Sequence, residues 1–224
     1  MKRTAIIAAG GTGVRMKAPL PKQFLLLDQR PLLMHTIDAF MSAKREMNIV
    51  VVLPQSYQFL WKQLCEQYRF TTQHQVIDGG STRFHSIKNA LKAIPDFGYV
   101  AIHDGARPLV SPSLIRNLFR EAEQYGTAIP AIPVSDSIRN IRRRRSFPLK
   151  REDFRIIQTP QVFKTKEISK AYCQRFRKSF TDDATVYESH FGPIHLVDGE
   201  FQNIKITSQE DLLIAEFLLH HKTC

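Results

Sequence analysis

The stretch Thr4-Ala5-Ile6-Ile7-Ala8-Ala9-Gly10-Gly11-Thr12-Gly13-Val14-Arg15 passes from a short apolar run straight into a glycine-rich loop. Thr4–Ala9 reads as a first β-strand, small and β-branched, ending at a turn signal. A secretory leader built on Met1-Lys2-Arg3 is the other reading of this end. The apolar run is short for that, and Gly-Gly-Thr-Gly stands where an Ala-x-Ala cleavage site belongs. Glycines without a Cβ let backbone amides come close to a phosphate. The loop meets neither standard phosphate fingerprint: Met16 occupies the place of the third glycine of G-x-G-x-x-G, and no Gly-Lys-Ser/Thr occurs in the chain. By itself Gly10–Gly13 is either a plain strand–turn or a phosphate cradle. Arg15 at its end and Lys22, just beyond Pro19 and Pro21, favour phosphate, one as a planar fork and the other as a compact charge.

Outward from this segment the chain alternates short β-branched runs with helix-period stretches. Asn48–Leu53, Gln75–Ile77, Tyr99–His103 and Thr127–Ile132 read as strands, and Leu32–Ser42, Ser56–Tyr68, Ser81–Ile94 and Ser111–Tyr125 as helices. Ser56, Ser81 and Ser111 are candidate N-caps, and Pro112 sits at a helix start. The alternation predicts an α/β fold with a doubly wound, mainly parallel sheet covered on both faces. Ligands in such sheets bind beyond the carboxyl ends of the strands. The regularity breaks between about Pro133 and Gln158, where two polar extended stretches surround a basic turn. That pattern predicts a projecting β-arm, which an isolated hairpin cannot stabilise alone and which should pack on something, a second subunit included. Beyond it, Lys166–Arg177, Asp183–His190 and Ser208–His220 read as helices, and Ile194–Val197 and Asn203–Ile206 as short strands.

The 224 residues fit one domain, 1–224, with the arm at about 133–158 as an appendage. With 43% hydrophobic and 24% charged residues the chain is of ordinary globular type, and no run approaches the ~20 apolar residues of a membrane span. Cys65, Cys173 and Cys224 lack metal-type spacing, which suits a reducing cytoplasm. The net charge of +11 points to anionic partners. Much of it lies in Arg142–Arg145 with Lys150 and Arg151, a run without interleaved aromatics that reads as a solvated ribbon rather than a nucleic-acid surface. Tyr99–His103 leads into Asp104-Gly105-Ala106-Arg107-Pro108, which puts Asp104 at the ligand edge. Asp104 is there either a Mg²⁺ ligand, a hard carboxylate beside phosphates, or a turn or cap residue before Gly105. His103 reads as structural, since no Ser/His/Asp or Cys/His set accompanies it.

Several ordered segments carry a resemblance. Ala9-Gly10-Gly11-x-Gly13-x-Arg15-Met16 with Pro21-Lys22-Gln23, Asp78-Gly79-Gly80 with Arg83 and Ser86, and His103-Asp104-Gly105-Ala106-Arg107-Pro108 come first. Thr159-Pro160-Gln161, Thr181-Asp182-Asp183 and Asn203-Ile204-Lys205-Ile206-Thr207 follow, so the motifs span essentially the whole chain. Together they closely resemble the 2-C-methyl-D-erythritol 4-phosphate cytidylyltransferase family. The resemblance implies a Rossmann-like fold of the nucleotide-diphospho-sugar transferase type and a Mg²⁺-dependent reaction of CTP with the polyol phosphate in non-mevalonate isoprenoid synthesis. It also implies a homodimer whose β-arms cross between subunits. By matching positions, Arg15 and Lys22 would stabilise the transition state, and Arg151 (from the neighbouring subunit) and Lys205 would place the sugar phosphate. Ala9, Gly10, Gly80 and Ser86 would read the cytosine, with Gly11, Gly13, Ser81 and Asp104 completing the CTP side. Gly105, Arg107, Ser137, Thr159 and Thr181 would line the polyol-phosphate pocket, and Asp104 would hold the metal. Four positions depart from the family's usual residues: Ser137 for threonine, Ser81 for an acidic residue, Asp183 for glutamate and Gly105 for alanine.

The chemistry accounts for the residue types. A phosphate monoester has a second pKa of about 6 and is mostly dianionic at neutral pH, so as a nucleophile it needs no protein base. Its obstacle is repulsion: at ~4 Å and an effective dielectric of ~20, each pair of unit charges costs about 4 kcal/mol. Lysines, arginines and a divalent cation offset this, and no nucleophilic serine or cysteine is required. The nearest alternative is a ribitol 5-phosphate cytidylyltransferase, which shares the glycine-rich loop, Thr-Pro-Gln and an arginine spaced like Arg151. A basic nucleic-acid-binding module is the alternative from another class and leaves the loop residues without a role.

Overall fold

The computed structural model describes residues 1–11 and 20–221. Its main sheet has eight strands in the order β10-β7-β11-β6-β1-β4-β5, with β12 also paired to β7. These are β1 (Arg3–Ala8), β4 (Asn48–Leu53), β5 (Gln75–Asp78), β6 (Tyr99–Asp104), β7 (Thr127–Pro133), β10 (Arg155–Ile157), β11 (Gln161–Lys164) and β12 (Leu196–Asp198). β5, β4, β1 and β6 run parallel, as do β7 and β12, while β10 and β11 run antiparallel to their neighbours. Among the described residues seven α-helices join or follow them: α1 (Leu32–Ala43), α2 (Gln55–Gln67), α3 (Arg83–Lys92), α4 (Pro112–Tyr125), α5 (Thr165–Ala171), α6 (Asp183–Phe191) and α7 (Gln209–His220). Among the described residues no helix is long and apolar enough to cross a membrane.

The period of two along the strands divides the core into two layers. Ala5 and Ile7 of β1, Ile49, Val51 and Leu53 of β4, and Ala101 of β6 face one cluster with Phe40 of α1, Trp61 of α2 and Leu118 of α4. Ile6, Val50, Val52, Val100 and Ile102 face the other, with Phe84 and Ile87 of α3, Ile168 of α5 and Val186 of α6. Continuous apolar runs such as Ile49-Val50-Val51-Val52-Leu53 are therefore required, because both faces are covered. A smaller cluster seats α7 through Ala215 against Leu27, Leu32, Leu109 and Ile206.

Local chemistry moved several expected boundaries. Ser111 caps α4, its Oγ accepting from the Leu114 amide at 3.0 Å. Ser81 does not cap α3: Thr82 does, accepting from the His85 amide at 3.3 Å. Ser56 lies inside α2, whose entry is set by Pro54 at φ −55°. Helix α5 stops at Ala171, short of the expected Arg177, because the Gln174 side-chain amide donates to the Ala171 carbonyl at 2.9 Å and to Val186 of α6 at 3.2 Å. The carbonyl that a continuing helix would use is thus taken. Asn203–Ile206 forms no strand; its backbone is held bond by bond, as where the Ile206 amide donates to the Ala106 carbonyl at 2.8 Å. The two-residue strands β2 (Leu26–Leu27) and β3 (Arg30–Pro31) carried no pattern long enough to read.

The expected arm is present. Between β7 and β10 the chain forms β8 (Arg139–Arg142) and β9 (Arg145–Pro148), which among the described residues pair with each other alone. Its two turn residues, Arg143 and Arg144, lie at φ +45° and +66°. Positive φ at both central positions matches a type I′ hairpin, where Asn-Gly is the usual choice, so the sequence accepts local cost at an exposed tip.

Candidate active site

The strand order reverses beside β1: β4 lies on one side and β6 on the other, with Ala8 opposite Asp104 in register. Such a switch point leaves a crevice beyond the carboxyl ends. Its rim is fixed by backbone bonds from Ala9 to Val52 at 3.0 Å and from Gly105 to Ala8 at 2.9 Å. Gly80 closes the opposite wall, its amide donating to Ser86 Oγ at 3.0 Å. A Cβ at Gly80 would lie 2.5 Å from the His85 Cβ, so only glycine lets this loop sit against α3.

Two cavities open at this edge. The first, about 350 Å³, is lined by Ala9, Gly10, Gly11, Lys22, Gly80, Ser81, Ser86, Asp104 and Gly105 among others. The second, about 660 Å³, is lined by Arg107, Gln158, Thr159, Thr181, Asp182 and Thr185 among others. Arg83, Asp104 and Lys205 line both and form the wall between them. Gly105, expected on the sugar-phosphate side, lies in the first cavity. Arg151 and Ser137 line neither: both are exposed on the arm, where the Arg151 guanidinium donates to the Ser135 carbonyl and sits 3.5 Å from Glu152. Gly13 and Arg15 lie outside the described residues.

At the wall, Lys205 Nζ lies 2.7 Å from Asp104 Oδ2 and Arg83 Nε 3.4 Å from Oδ1. Arg107 Nε stands 3.9 Å from the same carboxylate. Burial alone would raise the Asp104 pKa, but Arg83, Lys205 and Arg107 override it and hold the group well below the usual carboxylate range. The carboxylate caps no backbone amide in these contacts, so the cap reading of Asp104 gives way to that of a charged wall residue. Lys22 reaches the same region from a short 3₁₀ turn, Lys22–Phe24, its Nζ donating to the Ile206 carbonyl at 3.2 Å. Burial lowers the Arg107 pKa against the opposing pull of Asp104. Arg107 also donates to the Asn203 carbonyl at 2.7 Å.

Behind the wall a chain of hydrogen bonds fixes the strand end. The Asp104 amide donates to Thr159 Oγ1 at 3.0 Å, Thr159 donates to His103 Nδ1 at 3.0 Å, and His103 Nε2 donates to the Arg107 carbonyl at 3.0 Å. This order requires neutral imidazole with its proton on Nε2. His103 is fully buried, and burial lowers its pKa to about 4 from 6.5. The unfolded chain therefore takes up a proton below 6.5 that the folded chain refuses, so the part of the stability set by His103 should fall as pH drops from 6.5 and level off below about 4. The loss should total about 3 kcal/mol. Burial lowers the His35 pKa as well and acts in the same direction. Denaturant midpoints across this window check it: a His103→Asn variant should give a flatter profile than the parent.

The residues that sequence reading left without a role are Arg83, Asp183, Tyr172 and Gln158. Arg83 follows Gly79-Gly80 at the start of a helix and Asp183 lies in Thr181-Asp182-Asp183, and sequence offers no other sign of their role. Gln158 joins the wall to the segment beyond β12, its amide donating to the Glu200 carbonyl at 2.8 Å and accepting from the Glu200 amide at 3.1 Å.

The family model for 2-C-methyl-D-erythritol 4-phosphate cytidylyltransferase matches residues 3–221. Among curated relatives, the enzyme of that name from Bacteroides thetaiotaomicron is 45% identical over 219 residues, 98% of this chain and 100% of the relative. The one from Porphyromonas gingivalis is 44% identical, covering 97% and 98%. In structure, 4-diphosphocytidyl-2C-methyl-D-erythritol synthase from Anaerococcus prevotii superposes with a TM-score of 0.83 at 29% identity, over 98% of this chain and 96% of that one. The Thermus thermophilus cytidylyltransferase superposes with a TM-score of 0.80 at 30% identity, over 98% and 100%. With a match that runs nearly end to end and a switch-point crevice carrying the motifs, the chain belongs to the 2-C-methyl-D-erythritol 4-phosphate cytidylyltransferase family.

Proposed function

We propose that this chain is a nucleotidyltransferase that moves a cytidylyl group from CTP to 2-C-methyl-D-erythritol 4-phosphate and releases pyrophosphate, in non-mevalonate synthesis of isoprenoid precursors. The observation that carries this reading is the pair of cavities meeting at one charged wall, Asp104, Lys205 and Arg83. The glycine-lined first cavity suits a nucleoside triphosphate, whose phosphates would meet backbone amides and Lys22. The second, with Arg107, Thr159 and Thr181, suits a phosphorylated polyol. The Thr159 hydroxyl already gives its proton to His103, so it shapes the pocket and can only accept from a ligand.

The acceptor phosphate attacks the α-phosphorus as a dianion, and among the described residues neither cavity presents a histidine base. Lys205 can exchange its bond to Asp104 for the incoming phosphate, because its side chain is 42% exposed. Lys22 neutralises charge on the triphosphate side. Asp104 suits a Mg²⁺ ion: it is a hard carboxylate kept ionised at the phosphate edge, and Mg²⁺ takes its other ligands from phosphates and water. Among the described residues no group of three His, Cys, Asp or Glu forms an all-protein cage, which agrees with a metal that arrives with its nucleotide. When bound, such an ion neutralises triphosphate charge and polarises the reacting phosphoryl group.

The arm is assigned to dimer formation, with Arg151 completing the partner's site. Ile141, Phe147 and Phe154 are 68, 49 and 40% exposed on and beside it, apolar surface that a second subunit would cover. A reducing cytoplasm is the proposed setting, in keeping with Cys65 and Cys173 as free thiols. Pyrophosphate release with CTP and Mg²⁺, run side by side with methylerythritol 4-phosphate and ribitol 5-phosphate, tests the reading. Turnover should be far greater with the former; preference for ribitol 5-phosphate would reassign the acceptor, and release with neither would overturn the function.

A further inference from the structure

The Arg83 guanidinium is anchored from outside both cavities. Its two terminal nitrogens donate to Asp183, NH1 to Oδ1 at 2.8 Å and NH2 to Oδ2 at 2.6 Å. Asp183 is fully buried and accepts a third bond from the Tyr172 hydroxyl at 2.5 Å. Tyr172 is itself buried and stacks on Phe84, the next residue of α3, with ring centroids 4.7 Å apart. The planar fork therefore has one orientation available to it. Of the donors left over, Nε lies 3.4 Å from Asp104 Oδ1, on a side chain that is still 31% exposed.

We infer that Arg83 is a positioning residue of the reaction: clamped by Asp183 and Tyr172, it holds the Asp104 carboxylate in one orientation at the wall both ligand spaces share. The two oxygens of Asp104 thus have different kinds of holder. Lys205, on Oδ2, is exposed and can leave, whereas Arg83, on Oδ1, is fixed by a partner 100 residues away. When Lys205 turns to an acceptor phosphate, Arg83 keeps the carboxylate from rotating. Stability alone gives little reason for the arrangement, since a buried ion pair is often matched by apolar residues of similar volume. A lysine could not reproduce it, because a point charge cannot bind Asp183 with a fork and face Asp104 as well.

This inference rests on the functional reading above, and parent turnover measured in the same assay separates the two. Arg83→Ala should lower kcat by about 10²-fold, the size expected for ångström-scale misplacement at a reacting centre, with a smaller change in the KM for CTP. Guanidinium ion added at low millimolar concentration should restore part of the activity, since the vacated space opens to both cavities, and Arg83→Lys should not recover it. A role confined to folding would lower the melting temperature while leaving kcat of the folded enzyme unchanged and unaffected by guanidinium. Should Arg83→Ala fail to fold, the double variant Arg83→Gln/Asp183→Asn leaves no lone buried charge and should show the same loss in kcat. Parental kcat in a folded variant, or a loss that guanidinium leaves untouched in Arg83→Ala, would overturn the inference. A parent that releases no pyrophosphate with any acceptor would overturn the functional reading and the role of Arg83 in it.

Discussion

Lys22→Ala should lower kcat by about 10²–10³-fold, the usual effect of removing one fixed donor aimed at developing charge. Lys22 stands at the first cavity on a rigid support: Pro21 precedes it, Phe24 behind it is buried against Tyr57 and Trp61, and its ammonium already reaches the Ile206 carbonyl. Its position is therefore set before any ligand arrives. Its charge matters most when negative charge builds on the triphosphate, so the KM values for CTP and acceptor should change much less than kcat. The side chain is only half-buried, and the thermal midpoint should stay close to that of the parent. Steady-state kinetics with each substrate varied in turn check this; unchanged turnover would remove Lys22 from the mechanism.

The second large effect concerns the arm. Arg151→Ala should depress kcat/KM for the polyol phosphate by about 10²-fold while leaving the fold intact, because the side chain is about half exposed and bonded only locally. Within one chain Arg151 lines neither cavity, so a role in the reaction requires a second chain to bring it there. Mixing Arg151→Ala with Lys22→Ala subunits tests this directly. A heterodimer would carry one site with both substitutions and one with neither, so equal mixing with random exchange should recover about a quarter of parental activity. No recovery, with exchange confirmed by mass, would exclude the arrangement in trans.

The parts legible in the sequence are those with strong local periodicity. Asn48–Leu53 and Thr127–Ile132 could be read because a strand buried on both faces must be apolar throughout, and Ser111-Pro112 because cap and first turn are adjacent in sequence. Elements governed by single contacts were not legible. The end of α5 depends on where the Gln174 amide finds a carbonyl, and the capping of α3 on Thr82 rather than Ser81 depends on which hydroxyl faces the His85 amide. Asn203–Ile206 has the composition of a strand, yet it lies against Ala106 and Arg107 without a ladder partner. At the site, Asp104 could be placed at the ligand edge because a strand end fixes it. The Arg83–Asp183 pair could not, since a charge at residue 83 carries no mark of a partner 100 residues later. Nor does sequence show that Asp104, Lys205 and Arg83 serve two cavities at once, which arises only when the sheet brings the end of β6 to the segment after β12.

The arm leaves the sheet after Pro133 and rejoins it at Arg155, and these two residues face each other across the ladder. An antiparallel pair keeps its α-carbons about 5 Å apart, so the whole excursion begins and ends at one point. The main body can close without knowing how long the excursion is or what it carries. Natural selection can therefore alter the arm's reach, tip charge and apolar content without disturbing the core that shapes the crevice. If the arm delivers Arg151 to its neighbour, the molecule has separated two decisions, whether to fold and whether to become active, and made the second depend on meeting another copy of itself.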